Sequence, residues 1–110
     1  MDLYGFQVED IEVARHLVES VLGIKLDAHE SLYQGGDYYR KELGDAELIL
    51  QPNKDLLWQD VDPLEDRWAE PEFAVYPILL FLEGHSDADA MRDQLTKSIS
   101  QIRFLQRRPG

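Results

Sequence analysis

The sequence predicts an α+β fold with the element order β-α-β-β-β followed by β-α-β. Two stretches with the apolar period of an amphipathic helix alternate with short runs that have the composition of strands. This order is typical of a mostly antiparallel sheet that carries two helices on one face. At 110 residues, of which 44% are hydrophobic, the chain is large enough to bury one core. We therefore expect residues 1–110 to form a single domain.

A strand over residues 2–8 and a helix over residues 11–22 begin the predicted order. The strand is rich in aromatic and bulky apolar residues. In the helix, apolar positions recur at a spacing that places them in one stripe along a single face. Asp10 is a suitable N-cap, and Gly23 is a suitable residue to end the helix in a left-handed conformation.

Three antiparallel strands follow the first helix and form a meander. Residues 24–33 alternate between apolar and polar side chains, which predicts a strand with one buried face. Two glycines within residues 34–37 favour a turn, and strands over residues 38–43 and 46–51 complete the meander.

The second half of the chain predicts a further strand, a helix and a last short strand. Residues 76–83 are almost entirely apolar, as in a central strand buried on both faces. Ser86 resembles a capping residue for a helix that ends near Gln101. A strand over residues 102–106 precedes a tail, residues 107–110, that we expect to be frayed. This half looks like the first unit shortened to β-α-β.

The charge of the chain excludes several classes of partner. With 22 acidic residues against 11 lysines and arginines, the formal net charge is −11. Such a field repels nucleic acids and anionic membranes, so neither is an expected partner. The chain has no cysteine, which excludes thiolate nucleophiles and cysteine-based metal sites. No signal peptide or membrane span is visible, and a cytoplasmic location is expected.

A long acidic segment over residues 53–75, the acidic loop, separates the two halves. It has no clean helical or strand period, and connections of this length in compact domains are usually functional or mobile. Both tryptophans of the chain lie in it, among seven carboxylates. Tryptophan is enriched at the centres of interfaces, and acidic residues accelerate association with a basic partner. The predicted partner-binding residues are Asp55, Trp58, Asp60, Asp62, Glu65, Asp66, Trp68, Glu70 and Glu72. A second reading remains open, in which the tryptophans pin the loop to the sheet and the acids are merely solvated.

The first half resembles the vicinal-oxygen-chelate superfamily, which includes glyoxalases and bleomycin-resistance proteins. The resemblance lies in DIEVA at residues 10–14, VLGIK at residues 21–25, GGDYY at residues 35–39 and ELIL at residues 47–50. It implies β-α-β-β-β modules, of which the second is truncated here. It also implies, as an alternative function, a small glyoxalase-like metal- or ligand-binding enzyme that acts as a homodimer.

The residues that such an enzyme would need are sparse. Metal ligands in that superfamily are His, Gln or Glu on the first and fourth strands of each module. A triad of Gln7, His29 and Glu47 is conceivable if strands 1, 2 and 4 share a surface. The chain contains no nucleophile elbow and no paired-histidine metal motif. We therefore expect no catalytic residue, no metal and no cofactor.

The same region also resembles small acidic immunity proteins of bacterial contact-dependent growth-inhibition and related polymorphic toxin systems. That resemblance rests on YGF at residues 4–6, HES at residues 29–31 and GGDYYR at residues 35–40. It implies a non-enzymatic protein that binds and neutralises a cognate protein toxin. A nuclease toxin has a basic groove that holds phosphates, and an acidic loop is complementary to such a groove.

Overall fold

The six strands of the computed structural model form one sheet, within the described part of the chain, residues 1–109 without the side chain of Glu65. Each pair of neighbouring strands is antiparallel. The predicted α+β class, element order and antiparallel sheet are confirmed. In chain order the elements are β1 (Asp2–Phe6), α1 (Ile11–Leu22), β2 (Asp27–Ser31), β3 (Gly36–Leu43), β4 (Ala46–Pro52), β5 (Ile78–Glu83), α2 (Ala88–Ser98) and β6 (Ile102–Arg107).

The strand order across the sheet is β2-β3-β4-β5-β1-β6. The chain passes from β1 through α1 and the β2–β3 hairpin to β4, yet β5 lies between β1 and β4. In the same way β5 and β6 are connected through α2, and β1 lies between them. Each helix therefore crosses over a strand of the other half, so that two split β-α-β units interleave in one sheet. The β2–β3 hairpin extends this sheet beyond β4.

Both helices pack on the same face of the sheet, where they enclose the hydrophobic core. Ala14 and Val18 of α1 and Met91 and Leu95 of α2 are buried there. Successive strand residues point to opposite faces, so alternate positions of the central strands meet the helices. These core positions are Tyr4, Phe6, Leu48, Leu50, Ile78, Leu80, Leu82 and Ile102.

The ends of the two helices follow their capping residues. The side chain of Asp10 caps α1, and Gly23 ends it with a φ of 66°, as predicted. Asp87, rather than the expected Ser86, caps α2, because its carboxylate accepts the free backbone N–H of Ala90. No described helix is long and apolar enough to cross a membrane.

β2 differs from the prediction in both length and burial. The strand covers only Asp27–Ser31, and residues Leu32–Gln34 form a 3₁₀ turn instead of continuing it. Its side chains are largely exposed, because β2 is the edge strand and the helices pack on β4 and β6 instead. The alternation of residues 24–33 therefore does not mark a buried face.

Residues 107–110 are expected from the sequence to be frayed, but the structure holds Arg107 and Arg108 by hydrogen bonds. The guanidinium of Arg107 donates to the buried carboxylate of Asp2, with an Nε to Oδ1 distance of 2.7 Å, and also pairs with Asp89. These hydrogen bonds raise the pKa of Arg107 above its ordinary value. The backbone N–H of Arg108 donates to the carbonyl of Met1 at 2.7 Å. β6 therefore pairs with β1 as far as Arg107, with one shift of register between Leu3 and Tyr4.

Candidate functional site

The acidic loop is held to the sheet by the buried side chain of Asn53, which directly follows β4. Its amide Nδ2 donates to three backbone carbonyls, those of Glu70, Phe73 and Tyr76, and its Oδ1 accepts the backbone N–H of Glu70 at 2.8 Å. Its own backbone N–H donates to the carbonyl of Pro77. One buried side chain thus joins the beginning of the loop to residues 70–76, the returning limb of the loop, which lie 17 to 23 residues later.

A second tether connects the loop with the end of the chain. Both terminal nitrogens of Arg108 donate to the carboxylate of Glu70 at 2.9 Å, in the bidentate geometry that favours arginine over lysine. This bond raises the pKa of Arg108 above its ordinary value. Glu70 is one of the predicted partner-binding residues. Its carboxylate is instead engaged within the chain, by Arg108.

The loop returns to the sheet by passing Tyr76 over the central strand β1. A Cβ atom added at Gly5 would lie only 2.5 Å from Cγ of Tyr76, so that this strand position has room only for glycine. Leu105 of β6 borders the same position. The returning limb is therefore packed on the helix-free face of the sheet.

Hydrogen bonds within the loop shape its outer part around Trp58. The indole Nε1 of Trp58 donates to the carbonyl of Pro63 at 2.8 Å, and the carboxylate of Asp62 accepts the backbone N–H of Gln59. Near the base, the carboxylate of Asp55 accepts the backbone N–H of Leu57. The outer part is thus a folded turn rather than an extended strap.

The structure places the predicted acidic residues in three different situations. Asp55 and Asp62 are exposed and also accept backbone N–H groups, whereas Glu70 is paired with Arg108. The side chain of Glu65 lies outside the described part of the chain. The remaining three are exposed and form no ion pair among the described residues: Asp60, Asp66 and Glu72.

Both tryptophans are half-buried. The guanidinium of Arg67 lies 4.7 Å from the ring centroid of Trp68, within the range of a cation–π contact. These contacts with Pro63 and Arg67 help to order the loop from within, and most of the neighbouring carboxylates are exposed. Partner binding by this segment stays a prediction from the sequence.

Seven of the eight large apolar side chains that are exposed in the described part of the chain lie in the acidic loop or in the 3₁₀ turn after β2. Small domains rarely expose many large apolar residues in one region, and such clusters mark interaction sites. Five of them belong to the acidic loop and two to the 3₁₀ turn after β2. They are Leu56, Leu57, Val61, Leu64, Val75, Leu32 and Tyr33.

Two cavities adjoin the loop and share Trp68 and Lys54 in their linings. The smaller one, of about 240 Å³, also includes Tyr33 and Asp55. The larger one is an open groove of about 850 Å³ between the returning limb of the loop, the start of α1 and the turn at Gly35. Gly35 has a φ of 77°, and a Cβ atom there would lie 2.9 Å from the carbonyl of Pro52, so the turn can approach the loop base closely.

The metal triad considered from the sequence is not assembled. Gln7 follows β1, while His29 lies on β2 and Glu47 on β4. Three strands separate β1 from β2, which corresponds to about 19 Å at the usual strand spacing. In addition, Glu47 accepts a hydrogen bond from Arg40. Among the described residues, no group of three or more histidine or carboxylate side chains is placed to hold a metal ion.

Asn53 and Arg108 are the functional residues that sequence reasoning missed. Asn53 is the only asparagine in the chain and follows a strand directly, which is a local signal for a structural amide. Arg108 gave no such signal, because its partner Glu70 is 38 residues away in the chain.

Comparison with known proteins gives no relative for this chain. It matches no family model, no curated protein and no solved structure at a significant level. The resemblances to the vicinal-oxygen-chelate superfamily and to immunity proteins therefore stay predictions from the sequence.

Proposed function

We propose that this protein is an immunity protein, which binds a basic bacterial toxin domain through the acidic loop and neutralises it. The observation that carries the proposal is a loop fixed at its base by Asn53 and Arg108 that presents exposed carboxylates and exposed apolar side chains together. A loop held in this way loses little conformational entropy when it binds. It is therefore suited to recognition by a preformed surface.

Charge and apolar contact have separate roles in such a complex. The carboxylates of Asp60, Asp66 and Glu72 attract a basic partner over a distance of about one Debye length and increase its association rate. Apolar side chains such as Leu64 then exclude water from the contact and slow dissociation. The proposed anchors are Trp58 and Trp68, because each already has part of its ring fixed.

The proposed partner is a nuclease-type toxin domain. Its substrate is a polyanion, so its binding groove must be basic, and a carboxylate-rich loop can occupy that groove in place of phosphates. The choice of a toxin domain as the partner also rests on the resemblance to immunity proteins.

The first experiment captures the partner and tests its activity. The tagged chain is used to purify bound proteins from a lysate of its source strain at low and at high salt, and mass spectrometry identifies them. We expect one stoichiometric basic partner whose isolated domain arrests bacterial growth, and co-expression of the chain should relieve that arrest. The absence of a partner under both salt conditions, or a partner whose toxicity the chain does not relieve, would refute the proposal.

A matched pair of triple variants then tests the acidic loop. Asp60→Lys, Asp66→Lys and Glu72→Lys together change the formal net charge from −11 to −5. We expect the association rate constant to fall about tenfold or more at low salt. The control reverses three exposed acids outside the loop and the groove, Asp45, Glu83 and Asp93, with the same change in net charge. Equal association rates for the two variants would remove the loop from the interface.

Metal analysis of the purified chain tests the alternative of a glyoxalase-like enzyme. Stoichiometric Ni²⁺, Zn²⁺ or Mn²⁺, together with activity that a chelator abolishes, would favour that enzyme over the binding protein. The separation of Gln7 from His29 across the sheet counts against it.

A further inference from the structure

We infer that the groove of about 850 Å³ beside the acidic loop is the anchor site for a basic segment of the partner that also carries apolar side chains. This inference rests on the proposed function and assigns a specific part of the surface to it. Lys54 and Val75, near the two ends of the acidic loop, line the groove, whereas the exposed acids Asp60 and Asp62 do not.

The lower part of the groove is apolar. Ile78 is buried there, Ile11 and Pro77 are half-buried, and Trp68 adds half-buried aromatic surface. Val75 is 77% exposed and also lines the groove. Such a surface is suited to aliphatic side chains, which gain free energy when their methylene groups are removed from water.

The rim of the groove is acidic. Glu9, Asp10 and Asp37 are exposed and line it, and Lys54 is the only base that the described residues contribute to the lining. The carboxylate of Asp10 also caps α1, but the cap uses only its Oδ1 oxygen. An apolar floor below an acidic rim favours a segment in which arginine or lysine alternates with aliphatic residues. Such a segment meets the carboxylates with its charges and the floor with its apolar side chains.

The groove is also a defined shape rather than a gap between mobile parts. Asn53 fixes the limb that carries Val75, and the close approach of Gly35 to the backbone of Pro52 fixes the opposite wall. A preformed site of this kind avoids part of the entropic cost of binding.

Two synthetic peptides and two valine variants test this inference without the toxin. The probe is an eight-residue peptide of alternating leucine and arginine, and the control peptide has serine in place of leucine at the same charge. Calorimetry measures both affinities. We expect the leucine peptide to bind at least about tenfold more tightly than the serine peptide, because only leucine gains from the apolar floor.

Val75→Arg places a bulky cation in the groove, and Val61→Arg makes the same change on the same loop outside it. Both valines are exposed, at 77% and 88%, so neither substitution disturbs the core. We expect Val75→Arg to weaken the leucine peptide about tenfold and Val61→Arg to weaken it less than about threefold. In a Trp58→Phe background, the emission of Trp68 should shift to the blue when the leucine peptide binds.

Equal affinities for the two peptides, or equal effects of the two valine variants, would overturn the groove assignment. The acidic loop would then still be expected to accelerate association with the captured toxin. The proposed function therefore does not depend on this result. Conversely, a groove that binds the leucine peptide in a protein that captures no toxin would refute only the proposed function.

Discussion

The hydroxyl of Tyr4 is buried in the core and has no hydrogen-bond partner among the described residues. Its ring packs edge-to-face against Phe104 at a centroid distance of 5.4 Å, so the aromatic part is well accommodated while the oxygen is not. Burial, with a smaller contribution from Asp2, raises the pKa of Tyr4 from 10.0 to about 12. Folding therefore disfavours the ionised form of this side chain.

Tyr4→Phe should leave the free energy of unfolding at pH 7 unchanged or raise it by about 1 kcal/mol, because it removes an unsatisfied buried oxygen. Between pH 10 and 12 the native protein retains a proton on Tyr4 that the unfolded chain loses, so stability falls as the pH rises through this window. Urea unfolding at pH 9 and pH 11.5 should show a smaller alkaline loss for Tyr4→Phe than for wild type. Tyr33→Phe, at a side chain that is 84% exposed, is the control and should follow wild type. An identical alkaline loss in all three proteins would contradict the prediction.

Asn53→Ala should loosen the acidic loop more than it destabilises the sheet. The substitution removes the Asn53 partner of the backbone N–H of Glu70 and of the carbonyl of Tyr76, at a cost of about 2 kcal/mol. The other two carbonyls that Asn53 contacts, those of Glu70 and Phe73, still accept backbone N–H groups. We expect trypsin to cleave after Arg67 about tenfold faster than in wild type. Gln59→Ala, an exposed amide in the same loop, should leave the cleavage rate unchanged. Equal rates for the two variants would show that Asn53 does not hold the loop.

At the scale of elements, the Glu70–Arg108 pair predicts that the loop and the end of β6 move together. Arg108→Gln removes the bidentate bond, and the pair is partly exposed, so we expect a loss of only about 1 kcal/mol in unfolding free energy. Hydrogen exchange at residues 68–73 should nevertheless become several-fold faster. Local opening of the loop no longer has to break this ion pair, so the open state is more populated. Lys97→Gln removes an exposed cation from α2 and serves as the control. Unchanged exchange in the Arg108 variant would mean that the tether is not used in solution.

How far each element could be predicted depends on whether its signals are local. α1 was predicted with its observed bounds, because the apolar stripe, Asp10 and Gly23 are all within or next to the helix. The exposure of the β2 side chains was not predictable, since it depends on the position of this strand at the edge of the sheet. Sequence also located the acidic loop, but not its fixation, because Asn53 and Arg108 act on residues 17 to 38 positions away.

At the scale of the whole molecule, the net charge of −11 is unevenly distributed. Residues 1–90 carry a formal charge of −15 and residues 91–110 carry +4. Part of the positive end is used inside the fold, where Arg107 pairs with Asp2 and Asp89, and Arg108 pairs with Glu70. The rest of the surface therefore remains strongly acidic and repels itself.

Because salt screens this repulsion, the melting temperature should rise by several degrees between 20 and 300 mM NaCl. The triple variant Asp45→Lys, Glu83→Lys and Asp93→Lys, with a net charge of −5, should gain clearly less from the same salt. Differential scanning calorimetry of both proteins measures the two shifts. An equal gain in both would attribute the salt effect to something other than the net charge.

The two ends of the acidic loop leave the sheet side by side, since Pro52 and Ile78 are paired partners at the end of the β4–β5 ladder. A tight hairpin turn would be enough to connect these strands. The residues between them can thus be lengthened, shortened or exchanged at little entropic cost to the sheet. Changes in the sequence or length of the outer part of this segment should therefore leave the sheet intact, so that surfaces of different chemistry can be carried on the same framework.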